Sequence, residues 1–69
     1  MNTFNIGDIV KINIISGFFA DKVGLVLKRK DYRMKSNQMI TSYMLLIDQT
    51  DFLYFPQENL IKLNKNELL

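Results

Sequence analysis

The stretch from Asp51 to Ile61 constrains the fold more than any other part of the chain. It has the sequence DFLYFPQENLI, so an apolar run meets a proline, a short polar turn and a second apolar run. Pro56 has a fixed φ and no N–H, and it therefore ends the first run as a strand. Gln57–Asn59 is too short for an α-helix and suits a single 3-10 turn. A strand, a 3-10 turn and a closing strand are typical of the end of a small five-stranded barrel, which predicts an all-β fold.

Alternating apolar residues predict the earlier strands. Val10, Ile12 and Ile14 fall on one side of residues 9–15, and this side should face the core. The five predicted strands cover residues 9–15, 23–29, 40–48, 52–55 and 60–63. We expect a single domain over residues 1–69, with a core from about 6 to 64 and short flexible termini.

Composition limits the chemistry that the chain can support. It has 69 residues with no cysteine and no histidine, which excludes disulfides, thiol nucleophiles, Cys/His zinc sites and the usual general base near neutral pH. The acids lie mostly at predicted turns, where Asp side chains bond the backbone, and Asp48 and Asp51 suggest a weak cation site at most. We therefore predict no enzyme activity, cofactor, metal or small-molecule substrate, although chemistry by Lys, Tyr and a carboxylate stays open.

The two ends of the chain bear on its location. Residues 1–5 include no basic region or long apolar run, so we expect no signal peptide. No apolar segment approaches the roughly 18 residues of a membrane span. These observations favour a cytoplasmic protein or a component of a virion assembled there. At the other end, residues 64–69 either fray or dock their two final leucines on a partner.

Strands three and four carry an excess of apolar side chains. An antiparallel sheet with one wet face should alternate cleanly, yet both faces of these two strands are apolar. A chain of 69 residues has one core and cannot bury both faces. We expect at least partial exposure of Met44, Leu46 and one of two pairs, Phe52 with Tyr54 or Leu53 with Phe55. Such a patch marks an interaction surface, unless the predicted loop at 30–39 folds back over it.

Two adjacent aromatics, Phe18 and Phe19, lie in the loop before strand two. Neighbouring side chains on an extended segment point in opposite directions. One ring should therefore enter the core while the other stays near the surface. The alternative is that both rings cap an open end of the barrel.

A basic stretch follows strand two. Residues 28–35 contain five basic side chains and one acid, and we predict a long solvated hairpin loop with its tip at residues 36–38. A basic loop that contains an aromatic can bind a phosphate backbone. The candidate nucleic-acid-binding residues are Lys28, Arg29, Lys30, Tyr32, Arg33 and Lys35. The alternative is a loop that only keeps the domain soluble, since the net charge is +2.

Two segments carry a resemblance to a known family. Residues 7–12 have the sequence GDIVKI and residues 17–26 have GFFADKVGLV. They resemble the KOW-type segment of an SH3-like barrel, found in NusG-type transcription factors and some ribosomal proteins. The interval between Gly7 and Gly17 is longer than in that family, and Gly17-Phe18-Phe19 stands where Gly-Pro-Phe is usual. The resemblance implies a small five-stranded SH3-like barrel, with nucleic-acid or ribonucleoprotein binding as one function.

Two further groups of proteins are similar in spacing. The pattern of Val10, Ile12, Phe19 and residues 23–26 is similar to that of the small SH3-like protein of photosystem I. The Arg-Pro-Glu-Ser stretch and Asn-rich loop of that photosystem protein are absent, so this similarity implies shape without ferredoxin docking. The Gly-Asp-x-Val start and the ending at residues 55–60 also resemble small uncharacterised phage proteins.

Together these patterns favour a non-enzymatic protein-binding module, an accessory or structural subunit of a larger assembly such as a phage particle. Its predicted protein-binding residues are Phe18, Phe19, Met44, Leu46, Phe52 and Tyr54. The alternative is a KOW-like nucleic-acid or ribonucleoprotein binding module that uses residues 28–35. An inhibitor of a host enzyme would use the same surface as the protein-binding module.

Overall fold

Five antiparallel strands make up the computed structural model, which describes residues 3–48 and 51–63. The elements are β1 (Ile9–Ile12), β2 (Val23–Arg33), β3 (Met39–Ile47), β4 (Asp51–Pro56), a 3-10 helix (Gln57–Asn59) and β5 (Leu60–Lys62). The predicted all-β class is confirmed, and so is the 3-10 turn before the last strand. The predictions for residues 49–50 and for the tail at 64–69 fall outside the described residues.

The strands form one sheet in the order β4-β3-β2-β1-β5. β2 and β3 pair along almost their whole length, from Gly24 opposite Ile47 to Arg33 opposite Met39, with a bulge between Val26 and Lys28. β1 pairs with both β2 and β5, so the first strand joins the last strand to the rest of the sheet. This arrangement is compatible with a small β-barrel.

The core lies on the inward side of the sheet. Its buried hydrophobic side chains are Phe4, Val10, Ile12, Val26, Tyr43, Leu45, Ile47 and Leu60. Val10 and Ile12 are fully buried and Ile14 packs against the cluster, so the predicted inward side of the first strand is confirmed. At the N-terminal end, the Phe4 N–H donates a 3.1 Å hydrogen bond to the Tyr43 hydroxyl. The two rings also meet edge to face, 5.2 Å apart, which fixes the first described residues to the core.

The first strand is shorter than predicted and ends at Ile12. Beyond it, the Asn13 N–H donates to the carbonyl of Asn59, beside the 3-10 helix, rather than continuing the ladder with β2. The chain then enters a loop in which Ile15 is fully exposed. Alternating β-branched residues therefore predicted the start of the strand but not its end.

The long basic loop predicted after residue 29 is wrong, because β2 continues to Arg33. The connection is confined to residues 34–38, where Met34 N–H donates to Gln38 and Asn37 N–H donates to Met34. Asn37 adopts a positive φ of 73°, a conformation that asparagine tolerates well in a tight turn. β3 begins at Met39 and supplies a complete partner strand, and its backbone pairing outweighs the low strand propensity of the charged residues. Residues 30–39 therefore do not fold back over the sheet.

Candidate protein-interaction surface

The outer face of the sheet, the side turned away from the core, carries the apolar excess that the sequence predicts. Residues directly opposite each other in neighbouring strands share a face, and Met44 lies opposite Tyr54 while Leu46 lies opposite Phe52. Met44 and Leu46 are half-buried, and Phe52 and Tyr54 are 55% and 49% exposed. The predicted exposure of these four side chains is confirmed.

The register extends this surface across four strands. Leu46 of β3 lies between Phe52 of β4 and Leu25 of β2, and Leu25 in turn lies opposite Ile9 of β1. We call these four residues (Ile9, Leu25, Leu46 and Phe52) the outer apolar row. Sequence reasoning had not assigned Ile9 and Leu25 to the surface, although the two-residue period places each of them next to an inward-facing valine.

β4 is the most exposed part of the surface. Among the described residues it pairs only with β3, so it forms one edge of the sheet. Leu53 points to the inward side, opposite Leu45, and is still 37% exposed. Phe52, Leu53 and Tyr54 are therefore three consecutive exposed apolar side chains that point alternately to the two faces.

Strand alternation separates the six predicted nucleic-acid-binding residues. Lys28, Lys30 and Tyr32 lie opposite Met44, Ser42 and Ile40, and they share the outer face. The Lys30 ammonium lies 5.9 Å from the centre of the Tyr54 ring. These cations therefore border the exposed aromatic residues of β4.

The remaining three basic residues do not join that group. Arg29 lies on the opposite face, where its Nε is 3.2 Å from both carboxylate oxygens of Asp31. The Thr41 hydroxyl donates a 2.6 Å hydrogen bond to the same carboxylate. This hydrogen bond and then the Arg29 guanidinium hold the pKa of Asp31 below its ordinary value of 3.8. Arg33 donates to the side chain of Asn37 in the turn, so it is held close to its own hairpin.

Lys35 is exposed in the turn itself and lies at the far end of the β2–β3 hairpin. The described part of the chain is elongated, with extents of 41 × 24 × 22 Å. A strand of 11 residues is about 35 Å long at roughly 3.3 Å per residue. The hairpin therefore holds Lys35 apart from the core.

The two aromatics of the first loop take different positions. Phe19 is half-buried, and its ring centre lies 5.9 Å from that of Phe55. Phe18 is 74% exposed, and the Lys22 ammonium lies 5.0 Å from its ring centre. The prediction that one ring packs inward and the other stays near the surface is confirmed. Because Phe19 contacts Phe55, which lies on the inward side of β4, the structure does not join this loop to the outer face.

Comparison of the chain with protein-family models, with curated proteins and with solved structures finds no match. Within residues 3–48 and 51–63 no cluster of three or more acidic, histidine or cysteine side chains could hold a metal ion. The same residues contain no helix of the length and hydropathy that a membrane crossing requires. The functional assignment therefore rests on the geometry of the surface.

Proposed function

We propose that this protein is a non-enzymatic protein-binding module of the SH3-like barrel type, an accessory or structural subunit of a larger assembly. The strand order β4-β3-β2-β1-β5 and the 3-10 helix before β5 support the barrel type. The observation that carries the function is the outer apolar row, which continues into the exposed rings of β4. A contiguous apolar surface rimmed by polar groups is typical of a protein-binding site.

The exposed rings are large enough to supply most of a useful affinity. An aromatic side chain presents about 150–250 Å² of surface, and roughly half of it is exposed in Phe52 and Tyr54. Covering about 100 Å² on each ring contributes about 2–3 kcal/mol per residue. This is the size of effect expected of an interface hot spot. Met44 and Leu46 would add apolar contact beside the rings, and Lys28 and Lys30 would lie at the rim.

A phage particle is the setting that we propose for this assembly. Its support is the resemblance of the Gly-Asp-x-Val start and of residues 55–60 to small phage proteins. A host enzyme inhibited through the same outer face is the other protein partner that fits. Both settings require the same apolar contact, so identification of the captured partner separates them.

A tagged capture experiment tests the proposed function. The wild-type chain, Phe52→Ala and Tyr54→Ala are incubated with native lysate at low and high salt, with nuclease present. We expect a protein partner that survives high salt and is lost from both variants, because an apolar contact is little affected by ionic strength. Ile15→Ala is the matched control, since Ile15 is a fully exposed apolar residue outside the outer face.

Circular dichroism and thermal melting must show that both variants are folded. Because the two rings are half exposed, their removal should leave the isolated domain intact. Unfolding of both variants would place the rings in the core and contradict the proposal. Capture by Phe52→Ala and Tyr54→Ala at the wild-type level would contradict it as well.

Single-stranded nucleic acid is the second candidate ligand, and one observation favours it. Lys28, Lys30 and Tyr32 share the outer face with Tyr54, so two cations stand beside two rings on which bases could stack. Binding of this kind weakens steeply as salt rises, because phosphate contacts release counterions. The double variant Lys28→Ala with Lys30→Ala should reduce the slope of log affinity against log salt by about 1.4. Absent binding, or binding that does not depend on salt, would remove this candidate.

A further inference from the structure

The two edges of the sheet differ in how they are protected against pairing with another chain. Natural edge strands avoid such pairing by being short or by carrying charges, especially lysine. β5 has three residues and includes Lys62, whose side chain is 59% exposed. β4 has six residues, with one charge at Asp51, a proline at its last position and four apolar residues between them. The middle of β4 therefore lacks the protection that β5 has.

The exposure of β4 also indicates the direction from which a partner approaches. Phe52 and Tyr54 point outward, but Leu53 points inward and is 37% exposed. A partner that covered only the outer face would leave Leu53 in water. A strand added beside β4 would approach all three side chains, because its own residues would alternate between the same two faces.

We propose that β4 pairs antiparallel with β4 of a second copy of this chain, about a two-fold axis through Leu53. In this register Phe52 of each copy lies opposite Tyr54 of the other, and Asp51 lies opposite Phe55. Aromatic cross-strand pairs stabilise a sheet, and no two like charges are opposed. The segment is therefore complementary to itself, which a two-fold interface requires.

The dimer joins the two sheets and extends the outer apolar row of one copy towards that of the other. The inference goes beyond the proposed function, because it concerns the edge of the sheet, whereas the protein partner binds the outer face. Met44 lies on β3, between β2 and β4, and so belongs to the face but not to the edge. A six-residue strand pair buries less than a standard interface of about 1,600 Å², so the dimer should depend on concentration.

Sedimentation velocity over a wide concentration range, combined with hydrogen exchange, tests the pairing. We expect a reversible monomer–dimer equilibrium and slower exchange of amides in residues 52–55 as concentration rises, with no change in residues 60–62. Leu53→Lys should abolish the dimer, because it opposes two lysines at the axis. Ile15→Lys adds the same charge at an exposed loop position and should leave the dimer unchanged.

A monomer at every concentration would overturn the inference, as would a dimer that protects amides outside β4 instead. The exchange experiment uses the wild-type chain, so its result does not depend on whether Leu53→Lys folds. Met44→Ala separates the two proposals: it should weaken capture of the protein partner and leave the dimer intact. Loss of capture without a dimer in the wild type would support the proposed function alone.

Discussion

Removing one oxygen atom from the core should destabilise the domain measurably. The Tyr43 hydroxyl accepts a 3.1 Å hydrogen bond from the Phe4 N–H and donates a longer one, 3.4 Å, to the side chain of Gln57. Tyr43 is fully buried and Phe4 is only 5% exposed. Tyr43→Phe keeps the ring and its packing, but it leaves the buried Phe4 N–H without its partner.

The expected cost follows from that unpaired donor. A buried donor that loses its hydrogen-bond partner costs about 1–3 kcal/mol. A domain of 69 residues has a free energy of unfolding of about 3–10 kcal/mol. One kcal/mol lowers the melting temperature of a domain this size by about 4–8 °C. The longer bond to Gln57 should add little, since hydrogen bonds weaken with distance.

Urea unfolding followed by circular dichroism measures this cost, with thermal melting as a second assay. Tyr54→Phe removes the same atom from a half-exposed ring and should change the free energy of unfolding by less than about 0.5 kcal/mol. Exchange of the Phe4 amide should accelerate only in Tyr43→Phe. Equal unfolding midpoints for Tyr43→Phe and the wild type would refute the argument that this hydrogen bond fixes the N-terminal segment to the core.

Three other measurements test the packing and electrostatics. Gly24→Ala should cost about 1–3 kcal/mol, because the added Cβ would lie 3.1 Å from Leu45 Cβ; an unchanged urea midpoint would contradict this. Leu45→Ala should cost about 2–5 kcal/mol in the same assay and Met44→Ala clearly less, since only Leu45 is fully buried. Thr41→Val should raise the pKa of Asp31 towards 3.8, as followed by carboxyl NMR titration, and an unmoved pKa would show that this hydrogen bond is unimportant. Because the folded-state pKa is the lower one, the Asp31 contribution is present above pH 3.8 and is lost as pH falls through the folded-state value; Thr41→Val should reduce that loss.

Local chemistry made much of the sheet predictable. Pro56 and the three polar residues after it marked the 3-10 helix, because proline ends a strand and three residues cannot form an α-helix. The alternation of Tyr43, Leu45 and Ile47 with Met44 and Leu46 separated the two faces of β3. These features depend on neighbours in the sequence, and the structure agrees with them.

The basic stretch shows where local reasoning failed. Its charges suggested a solvated loop, but charged residues can occupy a strand when a partner strand bonds their backbone and both faces remain wet. Lys30 and Asp31 pair in this way with Ser42 and Thr41. The pairing also divides the basic side chains between two faces, and this division cannot be read without the register.

By itself the sequence determined the all-β class, the closing 3-10 turn and the need for apolar side chains to remain outside the core. Each of these follows from local backbone preferences and from the small interior that 69 residues can enclose. Only the tertiary structure decided which apolar side chains form one surface. The outer apolar row and the exposed β4 edge depend on strand order and register, and these arise from pairing between residues that are distant in the sequence, such as Ile9 with Leu25 and Leu46 with Phe52.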